Sequence, residues 1–108
     1  MANKKKILFA CSSNLDRSPA AVSLFKNSLV YEAKSCGILP HAETCVSEEL
    51  IRWADTIFCM EEIHKAHLLR NFKEARMKEI RVLSVDSTFL RNDPKLKEVL
   101  KEKLKGFL

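Results

Sequence analysis

The chain has 108 residues, 46% apolar and 31% charged, with a net charge of +5 from 19 basic and 14 acidic side chains. That length supports one core, so 1–108 is read as a single domain, and two glycines with three prolines leave no flexible linker. The basic excess suits an anionic ligand, whereas one Tyr, one Trp and no interleaving of basic with aromatic residues argue against a dedicated nucleic-acid surface. No apolar run approaches the roughly 20 residues of a membrane span. The apolar run behind the basic N-terminus, about five residues long, is too short for a signal peptide. Four cysteines without a secretory signal predict free thiols and a cytoplasmic location.

In chain order, Ile7 to Ala10 form an apolar run that predicts a buried strand over 5–11. A helix over 18–29 follows, capped by Ser18 with Pro19 at its first position, and with Val22, Phe25 and Leu29 on one face. Val30 to Ser35 read as a second strand, punctuated by Gly37 and Pro40. Ser47 is placed to cap a helix carrying Leu50, Ile51 and Trp53, with Glu48 and Glu49 in its first turn, where the helix dipole favours acids. Thr56 to Met60 form the third strand. A helix then runs from Glu61 to the Arg70 region with Ile63, Ala66 and Leu69 facing inward, followed by a short helical piece over 72–79. Ile80 to Val85 are the fourth strand, and 94–107 the last helix, with Leu96, Val99, Leu100, Leu104 and Phe107 at helical spacing. On that helix, lysines such as Lys97, Lys101 and Lys105 read as its solvated face. Strands alternating with helices imply right-handed crossovers and an α/β three-layer sandwich, a four-stranded parallel sheet with helices on both faces. Ligands in such folds bind at the carboxyl ends of the strands, which here are Cys11, Met60-Glu61 and Val85-Asp86.

The stretch Cys11-Ser12-Ser13-Asn14-Leu15-Asp16-Arg17-Ser18-Pro19 turns from that first strand into that first helix. Its backbone amides have no helical partners and, with the helix N-terminus, make a concave anion site. Arg17 adds a planar fork matched to two phosphate oxygens. The same positive field favours a Cys11 thiolate, poised to attack phosphorus. Asn14 is a residue type that tolerates the left-handed backbone and can brace the loop.

These residues resemble the phosphate-binding loop, Cys-x5-Arg-Ser-Pro, of the low-molecular-weight protein tyrosine phosphatases. The resemblance continues through Lys34-Ser35-Cys36-Gly37 and through Trp53-Ala54-Asp55-Thr56-Ile57-Phe58-Cys59-Met60 to a late Asp and a final amphipathic helix. It is to a short branch of the family and departs from the usual loop at Ser13, where glycine is common, and at Asp16, where a second cysteine is common. The resemblance implies phosphomonoester hydrolysis, of protein phosphotyrosine or an aryl phosphate, through a cysteinyl-phosphate. Cys11 would be the nucleophile, residues 12–18 and Arg17 the phosphate cradle, and inorganic phosphate the product, with neither metal nor cofactor. The oligomeric state is not legible.

A proton donor for the leaving group is still needed, and two aspartates compete. Asp86 follows the fourth strand directly, on the rim where Cys11 lies. Asp93 precedes Pro94, as the family's acid precedes proline, but Asn92-Asp93-Pro94 also spells a helix cap. Asp86 is preferred, with Thr88 and Phe89 lining the mouth. His64 and His67 with Glu61 superficially suggest a metal site, and are read instead as a solvated helix face. Alternative functions are a phosphate-binding regulatory module with weak turnover, suggested by Asp16, and a thiol-dependent arsenate reductase drawing on Cys36, Cys45 or Cys59.

Overall fold

The computed structural model describes residues 4–86, 88 and 93–107. Its centre is a parallel four-stranded sheet in the order β2-β1-β3-β4, built from β1 (Lys5–Cys11), β2 (Tyr31–Gly37), β3 (Thr56–Cys59) and β4 (Glu79–Val82). The first strand is central because Ile7 to Ala10 are apolar on both faces and wholly buried. Ile7 and Phe9 point into one core, with Phe58, Leu96 and Leu100, beneath α1 (Arg17–Ser23) and α4 (Pro94–Leu104). Leu8 and Ala10 point into the other, with Ile51, Ile57 and Leu68, beneath α2 (Glu48–Trp53) and α3 (Glu62–Asn71). The three-layer α/β arrangement expected from the alternation is present. No helix among the described residues is long and apolar enough to cross a membrane.

Several boundaries differ from expectation. The first helix begins at Arg17, because the Asp16 carbonyl accepts the Ala20 N–H at 3.0 Å and makes Asp16 the N-cap residue. Ser18 is thus inside the helix and not its cap. The helix ends at Ser23 in a run of turns, and the Ser28 hydroxyl accepts the N–H groups of Val30 and Tyr31 to steer the chain into β2. Leu29 lies beyond the helix and is 87% exposed. On α3 the buried face is His64 and Leu68, while Ile63 and Ala66 are exposed. Residues Lys73–Met77 form a 3-10 turn. The fourth strand stops at Val82, although Leu83 and Val85 still donate to the carbonyls of Cys59 and Met60 at 2.8 Å. Ser84 between them has φ 57°, which interrupts the pleat. Helix α4 ends at Leu104, so Phe107 falls past it and packs on Phe58. Ser47 caps α2 through Leu50, as expected.

Candidate active site

The carboxyl ends of β1, β3 and the segment after β4 meet at one rim. Cys11 ends β1 and is 2% exposed. The loop after it is held from outside: Ile38 donates to the carbonyl of Cys11, Leu39 to that of Ser12, and Glu43 to that of Ser13, all at 3.0 Å. In a trans peptide the N–H points opposite to the C=O. The amides of Ser12, Ser13 and Asn14 therefore turn into the concavity. The Asn14 N–H confirms this by donating to Cys11 Sγ at 3.2 Å. Asn14 makes the bend with φ 58°, the left-handed region that Asn tolerates. Gly37 of β2 backs the loop, close enough that a Cβ there would lie 2.6 Å from the Ser12 carbonyl oxygen.

Arg17 is 5% exposed. Its Nη1 donates to the Glu61 carboxylate and, at 2.8 Å, to the Val85 carbonyl, while Nη2 reaches Ser12 Oγ at 3.5 Å. Glu61, at the start of α3, thus mounts the guanidinium at the loop. The Ser18 hydroxyl and Asn14 Oδ1 are buried without a hydrogen-bond partner among the described residues. The Ser18 hydroxyl, which could donate to a thiolate at Cys11, makes no bond to it; the Asn14 N–H takes that place. Buried polar groups without partners are costly, and a donor and an acceptor left in this state inside the loop fit a site built around a polar ligand. Leu15 points outward, half exposed.

Asp86 lies on the same rim, one residue after the carbonyl that Arg17 holds. With Glu61, Glu62 and Ser84 it lines an open cleft of about 260 Å³. The Thr88 hydroxyl and N–H both donate to Asp86 Oδ1, at 2.5 and 3.0 Å, and with the nearby Arg17 charge they hold the carboxyl below its ordinary range. Asp93 instead caps α4, accepting the Lys95 N–H at 2.9 Å. Phe89 lies outside the described residues.

His64 corrects the reading of a solvated helix face. It is fully buried, with Nε2 at 3.0 Å from Ser12 Oγ and Nδ1 accepting the Glu61 N–H at 3.0 Å. Burial, reinforced by Arg17, pushes its pKa down to about 4. His67, meanwhile, sits near the Phe72 ring. Glu61 and His64 are the contacts to the loop that residue patterns missed. The usable signal was Glu61 at a strand end with His64 at the third helical position, the spacing of a capping box. Cys36 and Cys59 flank Ala10 on neighbouring strands, both buried. Burial raises Cys59 to about 12, and burial with the neighbouring Cys11 and Cys59 raises Cys36 further. Cys45 is exposed at a bridge to Gly37.

No family model and no curated protein matches the sequence. Solved structures do match over nearly the whole chain. The tyrosine phosphatase Wzb from Escherichia coli, in complex with phosphate, is 21% identical with a TM-score of 0.73, covering 97% of this chain and 96% of that one. The low-molecular-weight protein tyrosine phosphatase from T. tengcongensis is 23% identical at TM-score 0.69, covering 97% and 100%. The YwlE arginine phosphatase from Geobacillus stearothermophilus is 24% identical at 0.68, covering 94% of each chain. The chain has the fold that the low-molecular-weight protein tyrosine phosphatases share.

Proposed function

We propose that this protein is a cysteine-dependent phosphatase acting on phosphomonoesters, with protein phosphotyrosine or a related aryl phosphate as substrate. One observation carries the reading: the carbonyls of residues 11–13 are pulled outward, so the amides of Ser12, Ser13 and Asn14 turn into the concavity, where the Asn14 N–H meets the sulfur of Cys11. Such an arrangement stabilises negative charge on the three equatorial oxygens of a phosphoryl group whose leaving oxygen lies opposite the sulfur, where charge gathers during phosphoryl transfer. The Cys11 thiolate attacks phosphorus, the bond to the leaving oxygen breaks, and Asp86 delivers a proton to that oxygen. Water, deprotonated by Asp86, then cleaves the cysteinyl-phosphate and releases inorganic phosphate, restoring the thiolate. Arg17 holds the transferring group from one side, its orientation set by Glu61 and the Val85 carbonyl. Half-exposed Leu15 offers an apolar wall to an aromatic leaving group. Likeness in fold to phosphatases supports the reading, and four free thiols suit a cytoplasmic home.

A phosphate-binding module with slow turnover is the second reading, favoured by one feature: Thr88 holds the Asp86 carboxyl in its ionised form. Against an arsenate reductase stand Cys36 and Cys59, whose buried, protonated thiols are poor attackers in disulfide exchange. The deciding experiment is hydrolysis of nitrophenyl phosphate in excess chelator. Turnover is expected in the wild type and absent in Cys11→Ser. Turnover that persists in Cys11→Ser sinks the assignment, and phosphate binding without turnover in the wild type selects the second reading.

A further inference from the structure

The start of α3 is a reciprocal capping box. The Glu61 carboxylate accepts the backbone N–H of His64, and the His64 ring accepts the backbone N–H of Glu61 at 3.0 Å. Both side chains also reach the phosphate loop, Glu61 to Arg17 and His64 to Ser12. The second contact sets where a proton must sit. A backbone amide only donates, so Nδ1 of His64 is an acceptor, and a neutral ring then carries its proton on Nε2. Full burial beside the Arg17 guanidinium keeps the ring neutral. The Nε2–H therefore donates to Ser12 Oγ at 3.0 Å, and Arg17 Nη2 approaches the same oxygen at 3.5 Å. With donors on that oxygen, the hydroxyl has its own proton to give elsewhere.

We propose that His64 is a positioning residue that holds the Ser12 hydroxyl as an added donor to the oxyanion in the loop. The inference rests on the reading of the loop as a phosphate site. A free serine hydroxyl rotates among donor and acceptor roles. One that already accepts from His64 is preorganised to donate, and phosphate oxygens are acceptors throughout the reaction. The loop thereby gains a side-chain donor beside its amides and Arg17, placed by a residue that touches no substrate.

The test combines a double-mutant cycle with imidazole nitrogen NMR. Inorganic phosphate affinity is measured for the wild type, Ser12→Ala, His64→Gln and the double variant. Each single change is expected to weaken binding about tenfold, the scale of one charge-assisted hydrogen bond. The double variant should bind no more weakly than Ser12→Ala, because His64 acts through that hydroxyl. In the wild type the His64 ring should give the neutral Nε2–H pattern at neutral pH, and phosphate should shift that nitrogen signal in the wild type but not in Ser12→Ala. The NMR arm uses no His64 variant, so it decides even if His64→Gln fails to fold. Losses that multiply, an Nδ1–H or charged ring, or a Ser12→Ala variant that binds phosphate as the wild type does would overturn the proposal. A wild type with the expected ring pattern that binds no phosphate would instead overturn the phosphatase reading, and the proposal with it.

Discussion

At the scale of single residues, two aspartates near the C-terminal end of the sheet do different work. Asp93 is a cap, with its carboxylate on the Lys95 N–H. Asp86 stands on the rim with Arg17, and its carboxylate accepts from the Thr88 hydroxyl and N–H. Asp86→Asn should therefore slow hydrolysis of esters with poor leaving groups by about 100- to 10,000-fold, and far less for nitrophenyl phosphate, which departs without a proton. Asp93→Asn should leave rate and stability nearly unchanged, while Asp93→Ala should lower stability by about 1 kcal/mol. Steady-state kinetics across a leaving-group series, with thermal melts, checks both; leaving-group-dependent loss in Asp93→Asn alone would reverse the assignment. Thr88→Val adds a sign. Removing the hydroxyl donor lets the Asp86 carboxyl rise toward its ordinary range, so the limb of the pH–rate profile that reports its deprotonation should move to higher pH. The positions of Cys11, Arg17 and Asp86 were legible because residue type, spacing and strand ends agree. The partners of Arg17 were not, since an ion pair to Glu61 joins residues 44 apart in sequence and no local pattern announces it.

At the scale of elements, the loop depends on the strand beside it. Gly37 faces Cys11 across the sheet, and a Cβ there would meet the Ser12 carbonyl oxygen at 2.6 Å, Ala42 Cβ at 2.7 Å and Asn14 N at 2.9 Å. Two of those contacts are loop backbone, which cannot yield without turning the amides away from the anion. Gly37→Ala should thus cost both catalysis and folding: a fall in kcat/KM of at least about tenfold, with a destabilisation of roughly 1–3 kcal/mol. Parallel assays of nitrophenyl phosphate hydrolysis and urea unfolding test it, and an unimpaired rate would refute the backing role. The strands and helices themselves were largely readable from apolar runs and caps, as with Ser47. Helix α1 was overextended because Val22, Phe25 and Leu29 keep a helical period, yet the Ser28 hydroxyl diverts the chain before Leu29 can pack. On α3, a reading that counts only apolar residues turns the helix the wrong way, because its deepest side chain is a hydrogen-bonded histidine.

At the scale of the whole molecule, that histidine ties stability to acidity. Its ordinary pKa of 6.5 falls to about 4 in the folded chain. Between those values the unfolded chain takes up a proton that the folded chain refuses, so stability is full above about pH 6.5 and declines as pH drops toward 4. The slope is at most about 1.4 kcal/mol per pH unit at the steepest. His64→Gln should flatten this part of the profile relative to the wild type, as read from urea melts at a series of pH values; identical profiles would show that the ring is not held neutral by the fold. The layered arrangement was legible because strands alternate with helices along the chain, and the buried apolar run Ile7 to Ala10 fits a strand covered on both faces.

The capping box also has a consequence for the order in which the molecule becomes reactive. Cys11, the proposed nucleophile, ends β1 near the N-terminus, whereas Glu61 and His64 join the loop only when α3 docks. A nascent chain, or one in which α3 has opened locally, carries the sulfur without a mounted arginine. On the proposed function, chemical competence would thus wait on a tertiary contact from the middle of the chain, and copies with α3 open would be catalytically silent.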